Sequence, residues 1–181
     1  SNILIPEALW RTGPDEDFFR VVREVVSHEL AHQYFFNLIG VTDTEDGWMS
    51  EWFAEYAATR ASHALTGSDA HIKRHYWGYI SVLTPFSDAP LYGAEVRLSV
   101  ASFEIMYQKG SAVLAALRSM LGHEVFDNAL RGYVAHFAHQ ITTTHEFERF
   151  LMEETRNVDI PLFFEQWIYG KGYPELRINV Q

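Results

Sequence analysis

Apolar residues recur at helical intervals along most of the chain. Phe18, Val21, Val22, Val25 and Val26 stand three and four positions apart and lay one stripe along a helix. Asp15, Glu16 and Asp17 follow Gly13-Pro14 and bring the charge sign that a helix N-terminus favours; Gly40 is the next stop signal. A first helix is therefore expected from about Asp15 toward Gly40. The same reading predicts helices over Ser50–Leu65, before Thr66-Gly67, and over Ala70–Leu83, closed by Thr84-Pro85. Five more are expected: Leu98–Met106, Ser111–Leu121, Glu124–Phe137, His145–Thr155 and Pro161–Tyr169. Phe86–Gly93 reads as a loop, and only "NILI" near the start and "PELRINV" near the end look like strands. The fold class is mainly α, with little or no β-sheet.

Composition sharpens this picture. The 181 residues, 48% of them hydrophobic, suffice for one domain and are too few to expect two. No apolar run approaches the ~18–20 residues of a membrane-spanning helix. Ser1 to Pro6 lack the basic start and apolar core of a signal peptide. A net charge of −10 speaks against a nucleic-acid partner, which requires clustered Lys and Arg. No cysteine is present, so disulfides and thiolate metal sites are excluded and any transition-metal site must use His, Asp or Glu. Compartment and oligomeric state leave no signature.

Chemistry enters at "SHELAHQ". On a helix, residues four apart differ in direction by about 40°, so His28 and His32 project from one face. That spacing lets two imidazoles share one zinc ion. Glu29 stands about 100° round the helix, beside such an ion without binding it, where a general base belongs. In a chain with nine histidines the pentapeptide H-E-x-x-H arises by chance in roughly 4% of shuffled sequences, so a third ligand must be found. "WMSEWFAEY" supplies Glu51, eighteen residues beyond His32, and Glu55 one turn later. His136, His139 and His145 lack an acidic companion at helical spacing and read as exposed; His63, His71, His75 and His123 show no partner in the sequence.

H-E-x-x-H, eighteen residues and then a glutamate within W-x-x-E-x-F-A-E-Y resemble the aminopeptidase N family of gluzincin zinc metallopeptidases. "HELAHQYFFNLIG" is similar to the family's zinc helix. "MYQKGSAVLAALRSMLG" is similar to its Tyr-x-Lys-Gly segment, and "FFEQWIYGKGYPEL" to the pattern that ends the catalytic domain. The resemblance implies the helical lobe of a thermolysin-like catalytic domain, spanning residues 1–181 as a single unit and a fragment of a longer chain. It implies one Zn2+ per chain held by His28, His32 and Glu51, with Glu29 as general base and Tyr107 as donor to the oxyanion. Glu55 matches a carboxylate that supports a zinc-binding histidine, a role that fixes ring tautomer and orientation. A peptide is the implied substrate, and release of N-terminal residues the implied reaction.

Three departures qualify that reading. The Gly-x-Met-Glu-Asn segment that anchors a free α-amino group in the family is not in this chain, so a zinc endopeptidase and epoxide hydrolysis stay open as alternatives. So does a zinc-binding scaffold without activity, although Glu29 and Tyr107 would be superfluous there. Ser50 and Trp52 replace the family's Asn and Gly beside Glu51, and Trp52 is expected either to narrow the substrate pocket or to pack inward against the first helix.

Overall fold

The computed structural model describes residues 15–42, 45–82, 87–99 and 101–172. Eight α-helices run through them: α1 Glu16–Ala31, α2 Trp48–Thr66, α3 Ala70–Val82, α4 Glu95–Leu98, α5 Gly110–Leu121, α6 His123–Phe137, α7 Thr144–Thr155 and α8 Ile160–Phe164. Two π-helical turns extend them, Glu104–Lys109 leading directly into α5 and Glu165–Tyr169 continuing α8. Mainly α is the observed class. No helix among the described residues is long and apolar enough to cross a membrane.

The core is built around α2. Trp48, Met49, Trp52, Phe53, Ala54, Tyr56 and Ala58 are all buried, so this helix is covered on most sides. It packs against α1 and α5. An aromatic cluster continues the core toward the C-terminal helices: Phe35 stacks on Phe53 at 4.7 Å between centroids, and Phe53 meets Phe147 edge-on at 5.0 Å. Such pairs add to the area they bury.

The first helix is shorter than its apolar pattern predicts. It ends at Ala31, with His32 as its C-terminal cap. Beyond it Asn37 folds back, its backbone N–H and its side-chain Nδ2 both donating to the His32 carbonyl. Phe36 adopts φ 107° and turns the chain away. Phe35 and Ile39 keep the apolar spacing of a helix and are buried, but from a turn closed by a bridge between them. The pattern recorded burial, and a loop delivered it.

Two further boundaries move. The helix expected over Leu98–Met106 is interrupted: α4 ends at Leu98, and helical backbone resumes at Ser102 and passes into the π-helical turn at Glu104. Strands form at Gly40–Val41 and Ile141–Thr142, paired in parallel with Gly40 opposite Ile141. Two residues are too short to show an alternating pattern, so neither strand was legible. Buried Asp46 secures this corner by accepting from the Thr144 backbone N–H and hydroxyl through Oδ1 and from the Thr42 hydroxyl through Oδ2. The strands expected at "NILI" and "PELRINV", and the stop at Thr84-Pro85, lie outside the described residues.

Candidate metal centre

His28 stands in the last turn of α1 and His32 at its cap, while Glu51 and Glu55 occupy the first two turns of α2. The packing of α1 on α2 brings the four together. His28 Nε2 and His32 Nε2 are 3.0 Å apart, and Glu51 Oε2 lies 3.3 Å from the first and 3.6 Å from the second. The three side chains are 12%, 17% and 22% exposed, so the group is shielded and still reachable.

The outer nitrogens fix how the rings present themselves. His32 Nδ1 is 3.1 Å from the Phe35 carbonyl, which can only accept, so Nδ1 carries a proton and, in the neutral ring, Nε2 presents its lone pair inward. His28 Nδ1 lies 2.7 Å from Glu55 Oε2 and donates to it in the same way. With both rings neutral, two Nε2 lone pairs and a carboxylate oxygen would converge on one point. Repulsion at such distances is relieved by a cation. Ligands about 2.0–2.1 Å from a tetrahedral zinc ion stand about 3.3 Å from one another, which is the spacing found here. The donor set fits the metal.

The electrostatics agree. Burial opposes a charge on His28, but the hydrogen-bonding carboxylates of Glu51 and Glu55 outweigh it and raise the imidazole to about 9. Burial opposes ionisation of Glu51 as well, yet His28 and His32 hold it down at about 2. Glu55 falls well below the usual carboxylate range, because hydrogen bonds from His28, His71 and His75 overcome its burial. The same carboxylates would attract a divalent cation to the two Nε2 atoms, where it would take the place of a proton.

Tyr107 reaches the site from the π-helical turn, its ring stacked over His28 at 5.8 Å between centroids and backed by Phe103 at 4.6 Å. Burial and the nearby Glu51 carboxylate push its hydroxyl above the ordinary tyrosine range, so it stays protonated and able to donate. Glu29 lines the same cleft, a hollow of about 440 Å³, with Glu24, His28, Glu55, His71, His75 and Tyr107 among its other walls.

The neighbours of Tyr107 are structural. Lys109 is 1% exposed and donates from Nζ to the Ala89 carbonyl and Asp88. Gly110 lies against the Trp52 indole so closely that any Cβ would overlap it. Trp52 is completely buried beside Trp48 and Gly110, which corrects the expectation that it shapes the pocket. It packs inward, under the start of α5.

Two residues escaped the sequence reading. His71 and His75, on α3, are buried and not partnerless: their Nε2 atoms lie 3.2 and 3.0 Å from Glu55 Oε1. Their spacing of four repeats that of His28 and His32 and was the available signal. His136, His139 and His145 are exposed, as expected.

Residues 15–167 match the model of the Peptidase family M1 domain. Human aminopeptidase N is 29% identical over 171 residues, 86% of this chain and 18% of that protein. A leucyl aminopeptidase of Saccharolobus solfataricus is 30% identical over 176 residues, 90% of this chain and 21% of that one. Among solved structures, an M1 zinc metallopeptidase from Deinococcus radiodurans superposes with a TM-score of 0.69 at 27% identity, covering 87% of this chain and 35% of its own. The chain spans about a fifth of the length of these curated relatives.

Proposed function

The chain belongs to peptidase family M1, and we propose that it hydrolyses peptide bonds with one catalytic zinc ion, releasing N-terminal residues. The observation that carries this reading is the convergence of His28 Nε2, His32 Nε2 and Glu51 Oε2 within 3.6 Å of one another. The M1 neighbour from Deinococcus radiodurans is itself a zinc metallopeptidase, and His28, His32 and Glu51 are the residues that would hold the ion here. When bound, zinc supplies Lewis-acid polarisation of the scissile carbonyl and lowers the pKa of water toward about 7.

The remaining work falls to the chain. A Glu29 carboxylate oxygen takes a proton from the attacking water and returns it to the leaving amine nitrogen. The Tyr107 hydroxyl donates a hydrogen bond to the oxyanion that develops on the carbonyl oxygen. Glu55 Oε2 holds the proton of His28 Nδ1 and so keeps Nε2 aimed inward. The aminopeptidase part of the reading comes from the relatives, since human aminopeptidase N and the leucyl enzyme carry that name.

Zinc content and hydrolysis of aminoacyl fluorogenic amides test the proposal. Glu29→Gln is expected to keep its zinc and to lose about 10²–10⁴-fold in turnover. Equal activity in the two proteins would remove Glu29 from the chemistry. Zinc binding without turnover in either would favour the scaffold alternative, and equal cleavage of an N-acetylated peptide would replace aminopeptidase by endopeptidase.

A further inference from the structure

The buried group Glu55, His71 and His75 repeats the composition and the geometry of the first centre. In each, two histidines four residues apart on one helix meet a glutamate from α2. The ring centroids of His28 and His32 are 4.7 Å apart with planes crossed at 84°; those of His71 and His75 are 4.7 Å apart at 78°. Glu51 Oε2 stands 3.3 and 3.6 Å from the first pair, and Glu55 Oε1 stands 3.2 and 3.0 Å from the second. A ligand atom from each of the three residues lies within 4.8 Å of the other two, as in the first centre. All four distances lie within about 0.3 Å of the edge of a zinc tetrahedron, about 3.3 Å.

We infer that Glu55, His71 and His75 form a second site for a divalent transition-metal ion, zinc by its donor set, joined to the first through the Glu55 carboxylate. The two oxygens of Glu55 divide the work: Oε2 accepts from His28 Nδ1, and Oε1 faces both rings of α3. His71 and His75 are only 5% and 7% exposed, and buried polar side chains persist where a partner or an ion repays their desolvation. A second carboxylate stands close by, Glu24 Oε2 at 3.9 Å from His71 Nε2, itself held by Arg20 and Arg74. His75 is further positioned by the fully buried Ser111, whose Oγ lies 2.5 Å from its Nδ1. Nitrogen and oxygen donors in this number suit zinc and its first-row neighbours and not calcium, which requires more oxygen ligands. The second site opens onto the cleft that His28, Glu29 and Tyr107 also line.

The test is zinc stoichiometry by elemental analysis, after chelation and dialysis against metal buffers up to low micromolar free zinc. Unsubstituted protein is expected to bind two equivalents. His71→Asn and His75→Asn are each expected to bind one, and His32→Asn also one. A single equivalent in the unsubstituted protein that survives His71→Asn and His75→Asn overturns the inference and leaves the first centre intact. A single equivalent that survives His32→Asn and is lost in His71→Asn supports the second site and overturns the first. Two equivalents unaffected by either α3 substitution place the extra ion elsewhere and overturn the inference. Should either α3 variant fail to fold, zinc-edge anomalous diffraction from the unsubstituted protein decides: a peak among Glu55, His71 and His75 supports the site. Clear density for the three side chains without a peak means that the rings only hydrogen-bond to Glu55, and rejects it.

Discussion

At the scale of single residues, position and not identity separates chemistry from support. Glu51 and Glu55 are the same amino acid one turn apart, yet one faces two inward Nε2 atoms and the other the outer Nδ1 of His28. Tyr107 and the fully buried Tyr133 are both shifted upward by burial, but only Tyr107 stands over His28 beside the carboxylates. Tyr107→Phe should therefore cost about 10²–10³ in turnover, the usual loss of one oxyanion donor, with zinc content and thermal midpoint unchanged. Steady-state kinetics beside elemental analysis checks this, and unaltered turnover would leave the hydroxyl without a role. The meeting of His28, His32 and Glu51 was expected from one helical turn and a motif spacing, whereas Tyr107 was singled out only through the resemblance of its Tyr-Gln-Lys-Gly segment. The contact of Glu55 with His71 and His75 was not, since it depends on how α3 lies against α2.

At the scale of elements, the helices were legible wherever an apolar stripe was long and ended on a turn residue. Gly67 closes α2 in a left-handed conformation, φ 68°, and Thr143 opens α7 with a reciprocal cap to Glu146. Reading failed where burial came from irregular backbone, as at Phe35 and Ile39, and where strands were two residues long. The crossing of α2 and α5 has a sharp sequence requirement that no periodicity reveals. Gly110→Ala raises helix propensity by up to about 1 kcal/mol, but its methyl collides with buried Trp52, an overpacking that costs about 1–3 kcal/mol. Net destabilisation is expected, read as a lower denaturant midpoint at constant slope; a gain would show that the indole can move aside. In the π-helical turn just before α5, Lys109 forms a buried pair with Asp88, and Lys109→Met should cost about 3–5 kcal/mol by leaving the Asp88 charge without its cation.

At the scale of the molecule, α1, α2, α3 and the turn before α5 meet around one cleft. The pair Arg118–Asp127 joins α5 to α6 through two hydrogen bonds of 2.7 Å and holds Asp127 below its ordinary value. A depressed carboxylate contributes stability above its unfolded pKa, near 3.9, and loses it as pH falls through the folded value. The gap in thermal midpoint between the unsubstituted protein and Asp127→Asn should thus be present at pH 7 and close below about pH 4; a constant gap would mean that charge is not its source. Everything functional rests on the first cluster of His28, His32 and Glu51. Zinc-edge anomalous diffraction examines it without intermediary: a peak about 2.0–2.2 Å from His28 Nε2, His32 Nε2 and a Glu51 carboxylate oxygen is expected. Zinc-saturated crystals with these side chains ordered and no density among them, or with Glu51 turned away, would contradict it.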